Sequence, residues 1–589
     1  MLRRLAAYCY SHRWRVLIAW VVLLVGVNVL AQTVGGDLLK TFNLPGTESQ
    51  RTFDTLKRDF GRKGDTGDLV WKARQGNWDS PEVRAAVQPV IDQLKKSPHV
   101  VSVSSPLDAN PANQRFVSKD DKIAYAEILF DVQSNDVPVS LASHLRDVVS
   151  NAQKANNDTV QVELGGYMFT DQSQPASELI GVLAAILILL IAFGSLLAMG
   201  LPIMTALFGI GVGLAFVTLL ARVLDVPSFA PQVTAMIGIG VGIDYALFIS
   251  TRYRESLHAG VDPERAVVHA IDTSGRAVLF AGGTVVISLL GLFLIGVSFI
   301  RGLAVGASLA VLFVMAAAVT LLPAVLGFVG YTIDKFALPG AKKRVDPEQS
   351  VWARWARSLQ KRPWTALIGG LLVLLFLAIP FFSLRLGVAD SGNDPTKFTT
   401  RRAYDLLTEG FGPGFNGPLL VASDVKSASQ LQAAQKLRDA IAADSDVAEV
   451  SPVVPSPNRT GMLLQVTPKG SPQDASTTAL VHRLRDDTVP AATRGTGLDV
   501  HVGGQTAIGV DLADTLGQRL PYMFVVILLL SFILLMLVFR SLLVPLKAVI
   551  MNLLSIGAAY GVIVAIFQWG WGRTSSRSAR KVRSKHGCR

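Results

Sequence analysis

Apolar residues in this chain gather into blocks of about 20, separated by short polar segments and by two long ones. A helix of about 20 apolar residues is long enough to cross roughly 30 Å of hydrocarbon. The pattern predicts a polytopic α-helical membrane protein. We predict nine spanning helices, at residues 15–34, 178–198, 201–221, 232–251, 278–299, 303–329, 364–383, 520–540 and 545–569.

The two long polar segments carry a different pattern. Each alternates short β-rich runs with stretches of helical periodicity, such as VQVELGG after LASHLRDVVSNAQKA in the first and LDVHVGG after ASQLQAAQKLRDAIAAD in the second. Runs rich in β-branched residues predict strands, and apolar residues three or four apart predict helices. We expect each segment to form a small α/β domain with helices on one face of a sheet.

These elements predict an order of domains along the chain. The two α/β domains are each large enough to fold separately. The predicted segments are the N-terminus and helix 1 at 1–34, the first α/β domain at 35–177, helices 2–6 at 178–329, a linker at 330–363, helix 7 at 364–383, the second α/β domain at 384–519, helices 8 and 9 at 520–569, and a basic tail at 570–589.

Positive charge sets the expected orientation of the helices. The net charge of +12 could suggest nucleic acid, but most Lys and Arg lie at the ends of apolar blocks and in the tail. The N-terminus, the loop between helices 4 and 5, and the 330–363 linker are all basic, as cytoplasmic loops of membrane proteins are. We expect a multi-pass protein of the cell inner (plasma) membrane with a cytoplasmic N-terminus, both α/β domains outside, and no nucleic-acid partner.

The second half of the chain repeats the first. Internal duplication is a common transporter architecture, with the substrate site between the halves. The predicted plan is one helix, one α/β domain and five helices, followed by the same again. The matches are Arg51, Asp54, Phe60 and Gly61 with Arg402, Asp405, Phe411 and Gly412, 351 positions later, and Gly165-Gly166 before helix 2 with Gly503-Gly504 before helix 8.

The second copy is incomplete in this sequence. The counterpart of helix 4 is expected near residue 578, where the chain reads ARKVRSKHGCR. Residues 573–589 hold seven Lys or Arg and no acid, which is opposite to the charge bias expected on that side of the membrane. We interpret 570–589 as an out-of-frame tail and the protein as C-terminally truncated. A disordered basic tail that binds anionic lipid is the alternative.

One acid lies inside a predicted spanning helix. Asp244, in the run GIGVGIDYALF at 238–248, is near the middle of helix 4. A charged side chain there costs at least about 2.5–3.5 kcal/mol on insertion, so it is rare unless function requires it. A carboxyl group in a low dielectric can bind and release a proton near neutral pH. We predict that Asp244 is buried and couples proton flow to a conformational cycle; a static, hydrogen-bonded aspartate is the alternative.

The neighbours of Asp244 fit a relay at a contact between helices. Gly238 and Gly242 have small-xxx-small spacing, with Gly240 between them, which lets a neighbouring helix approach closely. The Tyr245 hydroxyl can hydrogen-bond a carboxylate on a facing helix. We therefore predict Asp244 and Tyr245 as the proton relay and the three glycines as packing positions.

Other polar residues are weaker candidates. Thr284 and Ser288 in helix 5 could line the same path, although such hydroxyls in membrane helices mostly bond to their own backbone. Asp171 and Asp511, just outside helices 2 and 8, are predicted to be solvated helix ends. The sequence shows no metal-ligand spacing, no nucleophile elbow and no phosphate loop, so we expect no cofactor, no metal site and no enzyme activity.

Several motifs resemble one known family. They are GIGVGIDYALFISTRYRE, LPGTESQR at 44–51, RRAYDLL at 401–407 and FGPGFNGPLLV at 411–421, and they resemble the mycobacterial membrane protein large (MmpL) family of the resistance–nodulation–division (RND) superfamily, over residues 1 to about 572. The resemblance implies twelve helices, about nine of them present, and two extracytoplasmic porter-like domains. It also implies export of lipids or lipid-like molecules to the cell envelope, driven by proton motive force. In that family, Asp-Tyr pairs on helices 4 and 10 face each other; Asp244 and Tyr245 fill the first half, and no position here receives the second.

Three functions remain compatible with the sequence. The first is a proton-driven lipid exporter, truncated and inactive alone. The second is a non-transporting membrane subunit whose outer domains bind lipid or a partner protein. The third is a transporter completed by a separately encoded homologous chain. The expected partners are a lipid or lipid-like substrate, the membrane, protons, and accessory envelope proteins or a homologous chain.

Overall fold

The computed structural model describes residues 1–36, 38, 44–61, 65–108, 110–132, 139–156, 158–169, 177–335 and 351–571. Asp171 and nearly all of the predicted basic tail lie outside these residues. The helices are α1 Leu2–Ser11, α2 Arg13–Val34, α3 Glu48–Asp59, α4 Pro81–Lys95, α5 Val139–Ala155, α6 Ser177–Phe193, α7 Leu196–Leu220, α8 Ala230–His258, α9 Pro263–Ala270, α10 Arg276–Leu290, α11 Ser298–Val329, α12 Val351–Lys361, α13 Pro363–Ala378, α14 Thr399–Phe411, α15 Ala428–Ala442, α16 Ala475–Arg483, α17 Val489–Thr493, α18 Gln505–Phe539 and α19 Leu543–Ile563. The strands are β1 Thr66–Ala73, β2 Val100–Ser104, β3 Ile123–Phe130, β4 Val160–Gly165, β5 Leu419–Asp424, β6 Val447–Val450, β7 Val454–Pro455, β8 Gly461–Pro468 and β9 Val500–Gly503.

The chain forms two compact units. The helical unit consists of Met1–Leu39, Ala176–Leu386 and Arg519–Arg589, and the sheet unit of Lys40–Pro175 and Gly387–Gln518. The nine strands found among the described residues all belong to the sheet unit.

Eight helical stretches within the described residues are long and apolar enough to cross a membrane. These stretches are Arg13–Val34, Leu196–Leu220, Ala230–His258, Pro263–Ile295, Ser298–Asp334, Pro363–Ser383, Gln505–Phe539 and Leu543–Gln568. The predicted count of nine is not confirmed, because α6 has only 17 residues. It ends at Phe193. The next residue, Gly194, has a φ of 63°, a left-handed conformation that favours glycine, and Ser195 then caps α7 as a separate helix.

Glycines bring α7 and α11 into close contact in the helical unit. A Cβ at Gly209 would lie 2.6 Å from Cα of Val314, and a Cβ at Gly213 would lie 2.7 Å from Cα of Ala310. Only a residue without a side chain allows two backbones to come so near, as is common between membrane helices. α7 and α11 therefore form a tight pair against which other helices can pack.

The two sheets of the sheet unit have the same strand order. Sheet 1 is antiparallel with the order β2-β3-β1-β4, and sheet 2 is antiparallel with the order β6-β8-β5-β9, with β7 beside β8. The chain order β1-α4-β2-β3-α5-β4 is the split β-α-β, or ferredoxin-like, arrangement. The repeat seen in the sequence thus corresponds to a repeated strand order.

One face of each sheet packs on helices from the same half of the chain. In sheet 1, Leu69, Trp71 and Ala73 alternate along β1 and are buried against α4 and α5. In sheet 2, Leu419 and Val421 of β5 are buried against α15 and α16 in the same way. Alternate residues of a strand point to the same face, so these apolar positions form one core per sheet.

The other face of each sheet is covered by a helix from the opposite half of the chain. α14 packs on sheet 1, where Ala403 and Leu406 lie in one apolar cluster with Val70 and Tyr125. α3 packs on β5 and β9 of sheet 2. We call α3 and α14 the crossing helices. Because each crossing helix packs on the sheet of the opposite half, the two halves of the sheet unit are held together.

Candidate functional site

α8 places Asp244 at its centre, as the fifteenth of 29 residues. The side chain lies on an exposed face of the helix with Met236, Gly240 and Phe248, which recur at every fourth position. We call these four residues the open stripe. Within the described part of the chain, the Asp244 carboxyl has no hydrogen-bond or ion-pair partner. The prediction that Asp244 is buried is therefore wrong in the isolated chain, because the neighbouring helices pack on other faces of α8. Its role as a relay stays a prediction.

Tyr245 lies on the packed side of α8. Its side chain is buried in a cluster with residues of α8, α10 and α11. The ring atom Cε2 is 3.3 Å from the point where a Cβ at Gly282 would lie, and Met315 Sδ is 2.6 Å from the same point. Successive residues of a helix point about 100° apart. The adjacent acid and phenol therefore face different surroundings, one exposed and one between α10 and α11.

The three predicted packing glycines occupy two kinds of position. A Cβ at Gly238 would lie 2.8 Å from Ile210 Cγ1, and a Cβ at Gly242 would lie 2.8 Å from Ala206 Cβ, so both face α7 at close range. A Cβ at Gly240 would meet nothing within 4 Å among the described residues. Gly240 instead widens the open stripe one turn before Asp244.

Thr284 and Ser288 lie on α10, which carries Gly282 against Tyr245. The Thr284 hydroxyl donates to the carbonyl of Phe280 in its own helix, at 2.9 Å. Ser288 is half-buried. Both residues are thus on the helix next to Tyr245, and the Thr284 hydroxyl already has a backbone partner.

The C-terminal end of α8 is fixed by a cluster that sequence reasoning missed. The Arg254 guanidinium donates to the carboxylate of Asp334 at 2.6 Å, and His258 Nε2 lies 2.7 Å from the same carboxylate. Arg254 also donates to the carbonyl of Phe193 at the end of α6. The cluster joins the ends of α6, α8 and the Ser298–Asp334 stretch, so it holds the helix that carries Asp244.

A buried arginine anchors the crossing helix α3 to sheet 2. Arg485 and Asp511 pair directly, and their side chains are only 10% and 8% exposed. The same guanidinium lies 3.3 Å from the Glu48 carboxylate and donates to Ser49 Oγ at 3.1 Å and to the Val502 carbonyl at 2.7 Å. The prediction that Asp511 is a solvated helix end is wrong, because Arg485 and the backbone N–H of Ser49 satisfy its carboxylate inside the unit.

The crossing helix α14 is held to sheet 1 by the opposite arrangement of charge. Arg402 of α14 pairs with Glu163 of β4, whose side chain is only 4% exposed. The Thr399 hydroxyl donates to the same carboxylate at 2.8 Å, and the Leu164 N–H donates to the Thr399 hydroxyl at 2.7 Å. No sequence spacing signals either anchor, since each joins residues from the two halves of the chain.

Two acids face each other on the side of sheet 1 that α14 covers. Asp68 of β1 is directly opposite Glu127 of β3. Burial, with a smaller contribution from the Glu127 charge, raises the pKa of Asp68 from 3.8 to about 7. Among the described residues, no group of three or more His, Cys, Asp or Glu is arranged to hold a metal ion.

The eight apolar stretches indicate a multi-pass membrane protein. The sequence profile of the MMPL family matches residues 41–366 and 419–580. The chain therefore belongs to the MMPL family, whose MmpL members are RND-type transporters.

Relatives extend this assignment across almost the whole chain. The chain is 33% identical to membrane protein YdfJ of Bacillus subtilis, over 97% of this chain and 77% of that protein. It is 29% identical to the mycolic acid-containing lipids exporter MmpL11 of Mycolicibacterium smegmatis, over 96% of this chain and 61% of the relative. It is 26% identical to the trehalose monomycolate exporter MmpL3 of Mycobacterium tuberculosis, over 95% of this chain and 63% of the relative. The MmpL11 of M. tuberculosis is named a heme uptake protein. The chain thus spans about three fifths of the length of these MmpL relatives.

Proposed function

We propose that this chain acts in the export of lipids or lipid-like molecules across the plasma membrane toward the cell envelope, driven by proton motive force. The main support for this proposal is that the chain belongs to a family in which MmpL11 of M. smegmatis and MmpL3 of M. tuberculosis are named as lipid exporters. The basic loops support a cytoplasmic N-terminus. The repeated sheets support a porter-like role for the sheet unit outside the membrane.

Asp244 and Tyr245 are the proposed proton relay. An ionised carboxylate is stable in water but costs at least about 2.5–3.5 kcal/mol at the centre of a membrane helix, whereas the protonated acid does not carry that charge. Proton binding at Asp244 would therefore favour a state in which an apolar helix covers the open stripe. Proton release would favour a state in which water reaches it. A ligand, here a proton, shifts a conformational equilibrium only through such a difference between two states.

The helix that covers the open stripe is proposed to come from a partner. Gly240 and Asp244 leave space on α8, while Gly238, Gly242 and Tyr245 already pack inside the helical unit. A homologous membrane chain is the proposed source of this helix. The proposed transport activity therefore belongs to the complex of this chain with that homologous chain.

Transport in vesicles tests the relay. The purified chain, alone or with a homologous full-length chain, is placed in vesicles with a fluorescent lipid, and lipid movement is measured with and without an imposed proton gradient. We expect Asp244→Asn to lower the gradient-dependent rate at least about tenfold, because the amide cannot carry the proton. The matched control, Asp225→Asn in the exposed loop between α7 and α8, should keep the rate.

The outcomes separate the candidate functions. Gradient-driven transport that Asp244→Asn leaves intact would rule out this relay. The same vesicle assay with heme in place of the lipid tests a second substrate, which the name of the M. tuberculosis MmpL11 suggests. Lipid binding without movement in every arm would instead support a non-transporting membrane subunit.

A further inference from the structure

The helix that carries Gly282 contains one wide turn. α9, residues Ile271–Gly275 and α10 follow each other without a break, within the apolar stretch Pro263–Ile295. Ile271–Gly275 form a π-helix, in which each N–H bonds to the carbonyl five residues back instead of four. We call these five residues the π turn. Single π-helical turns inside α-helices are rare and frequently lie at functional sites, so this one calls for a physical reason.

The π turn sets which residue of α10 faces Tyr245. A π-helical turn holds about one residue more than an α-helical turn, so each later residue takes the place that its predecessor would have in a regular α-helix. With the π turn, Gly282 is buried against Tyr245 and Met315, and Ala281 is exposed. If the same residues formed a regular α-helix from α9 onward, Ala281 would take the place of Gly282.

Ala281 would be too large for that place. A Cβ there would lie 2.6 Å from Met315 Sδ and 3.3 Å from Tyr245 Cε2. Carbon atoms in contact are normally about 3.5–4.0 Å apart, so the Met315 side chain or the Tyr245 ring would have to move. The π turn therefore keeps a residue without a side chain next to the Tyr245 phenol.

Two ion pairs hold the π turn. The carboxylate of Asp272, in the π turn, accepts from Arg3 Nε at 2.8 Å and from Arg276 Nη2 at 2.7 Å. The Asp272 side chain is only 11% exposed, although both arginines are largely exposed. Arg3 belongs to α1, which is fixed because Ala6 of that helix is buried in one cluster with Ile271. A separate, packed helix thus supplies a cation to the π turn.

We propose that Asp272 is a positioning residue for Tyr245. Its charge-assisted hydrogen bonds stabilise the π turn, and the π turn keeps Gly282 rather than Ala281 against the phenol. Without these bonds the turn relaxes toward the more common α-helical form, and α10 turns toward the register that brings Ala281 to Tyr245. The inference rests on the proposed function only where it gives Tyr245 a part in proton transfer.

Fluorine NMR on the whole chain tests this role. Tyr245 alone is replaced by fluorotyrosine, whose resonance reports the surroundings of the ring. We expect one main resonance in the parent and a second one in Asp272→Asn, with the ratio of second to first raised at least about tenfold, because two hydrogen bonds to a charged group are lost. Arg3→Ala removes one donor and should give a smaller rise. Arg4→Ala, at an exposed position of the same helix, is the matched control and should leave the resonance unchanged.

Deletion of one residue separates the π turn from other effects of the substitution. Deleting Thr273 takes out the additional residue, so the turn can be α-helical while Gly282 keeps its place against Tyr245. The deletion alone should therefore leave the fluorine resonance as in the parent. The deletion combined with Asp272→Asn should return the resonance of that variant to the parent's.

Three results would overturn the proposal. An unchanged resonance in Asp272→Asn would show that the ion pairs do not hold the register of α10. A second resonance that persists when Thr273 is also deleted would show that Asp272 affects the ring by another route. An equal change in Arg4→Ala would point to the overall charge of α1. None of these measurements needs transport, so they stay decisive even when Asp244→Asn leaves gradient-driven transport intact.

Discussion

The two crossing helices begin with the same hydrogen bond made by different side chains. On sheet 1, the Leu164 N–H donates to the Thr399 hydroxyl at 2.7 Å; on sheet 2, the Val502 N–H donates to the Glu48 carboxylate at 3.2 Å. The two helix residues are 351 positions apart and the two strand residues 338 apart, as the repeats around them are. The docking geometry has therefore been kept in both halves although the side chains have changed.

The ion pairs at the two docking sites have opposite polarity. α14 brings the cation Arg402 to the buried carboxylate of Glu163, whereas α3 brings the anion Glu48 to the buried guanidinium of Arg485. If α3 packed on sheet 1 instead, Glu48 would meet Glu163, and like charges at an interface disfavour the wrong pairing. The reversed charges therefore favour the packing of each crossing helix on the sheet that it covers in the structure.

The far ends of the crossing helices differ in burial. At the end of α3, the Thr460 hydroxyl donates to the buried Asp59 carboxylate at 3.2 Å, and Arg58 pairs with Asp424. The Arg58 guanidinium lowers the pKa of Asp59. At the end of α14, Lys72 pairs with Glu409 at 2.5 Å near the surface. Surface pairs contribute little, so α3 should be the more firmly held of the two helices.

The largest expected effect is at the anchor of α3. Arg485→Met leaves the buried Asp511 carboxylate without its counter-charge, and breaking a buried pair in this way costs about 3–5 kcal/mol. Hydrogen exchange of the α3 and β9 amides in the purified chain should report this loss of local stability. Arg494→Met, at an exposed position, is the control. A loss below about 1 kcal/mol would mean that Arg485 does not anchor the helix.

The corresponding change on sheet 1 should cost less. Arg402→Met removes the cation from Glu163, but that carboxylate keeps the Thr399 hydroxyl and the Gln161 amide as donors. Arg402 is also 37% exposed, so we expect a loss of about 2 kcal/mol, measured by exchange of the α14 and β4 amides. The double variant Arg402→Met/Glu163→Gln should recover part of this loss, since the unpaired charge is gone. An equal or larger effect than that of Arg485→Met would reverse the comparison.

Two equivalent glycines test how closely each crossing helix packs. A Cβ at Gly503 would lie 2.5 Å from Thr52 Cβ of α3, whereas a Cβ at Gly165 would lie 3.3 Å from Ala403 Cβ of α14. Gly503→Ala should therefore destabilise the sheet unit by about 1–3 kcal/mol, and Gly165→Ala by less than about 1 kcal/mol. Thermal unfolding of the two variants side by side measures the difference. Equal costs would show that the two contacts are equally tight.

The smallest expected effect concerns pH and separates the two sheets. The folded-state pKa of Asp68, about 7, lies above the usual 3.8, so Asp68 contributes stability below pH 3.8 that is lost as the pH rises through about 7. Asp68→Asn should then gain stability relative to the parent as the pH rises from 5 to 8, because only the parent has to ionise on this face of the sheet. Leu420 and Gln465 take the places of Asp68 and Glu127 in sheet 2, so exchange of β5 should not change. A pH-independent effect of the substitution would argue against the acid pair.

Hydropathy and periodicity predicted the helices and strands of this molecule better than they predicted which of these elements pack together. The apolar blocks predicted eight stretches that the structure shows as long apolar helices, because each spanning helix satisfies its own backbone hydrogen bonds. The repeat at Arg51 and Arg402 marked two helices that occupy equivalent positions. Local sequence, however, does not tell which sheet a helix covers, since α3 and its own sheet 1 are as near in the chain as α14 and sheet 2.

The same limit applies to the burial of individual acids. Asp511 follows the start of α18 and was expected to be solvated, but its partner Arg485 comes from a separate element. Asp244 was expected to be buried because its segment is apolar, yet the neighbours of α8 pack on other faces. Composition gives the average environment of a segment, while the side of a helix that meets a neighbour depends on the whole bundle.

The exchange of helices between the halves also has a consequence for biosynthesis. β4 ends at Gly165, but the helix that shields Val70 and Tyr125 does not begin until Thr399. The nascent first half therefore leaves the ribosome with an apolar sheet face that α14 cannot yet cover, for as long as the intervening helices are being translated. Such exposed faces invite aggregation, and contacts between residues so distant in sequence form slowly.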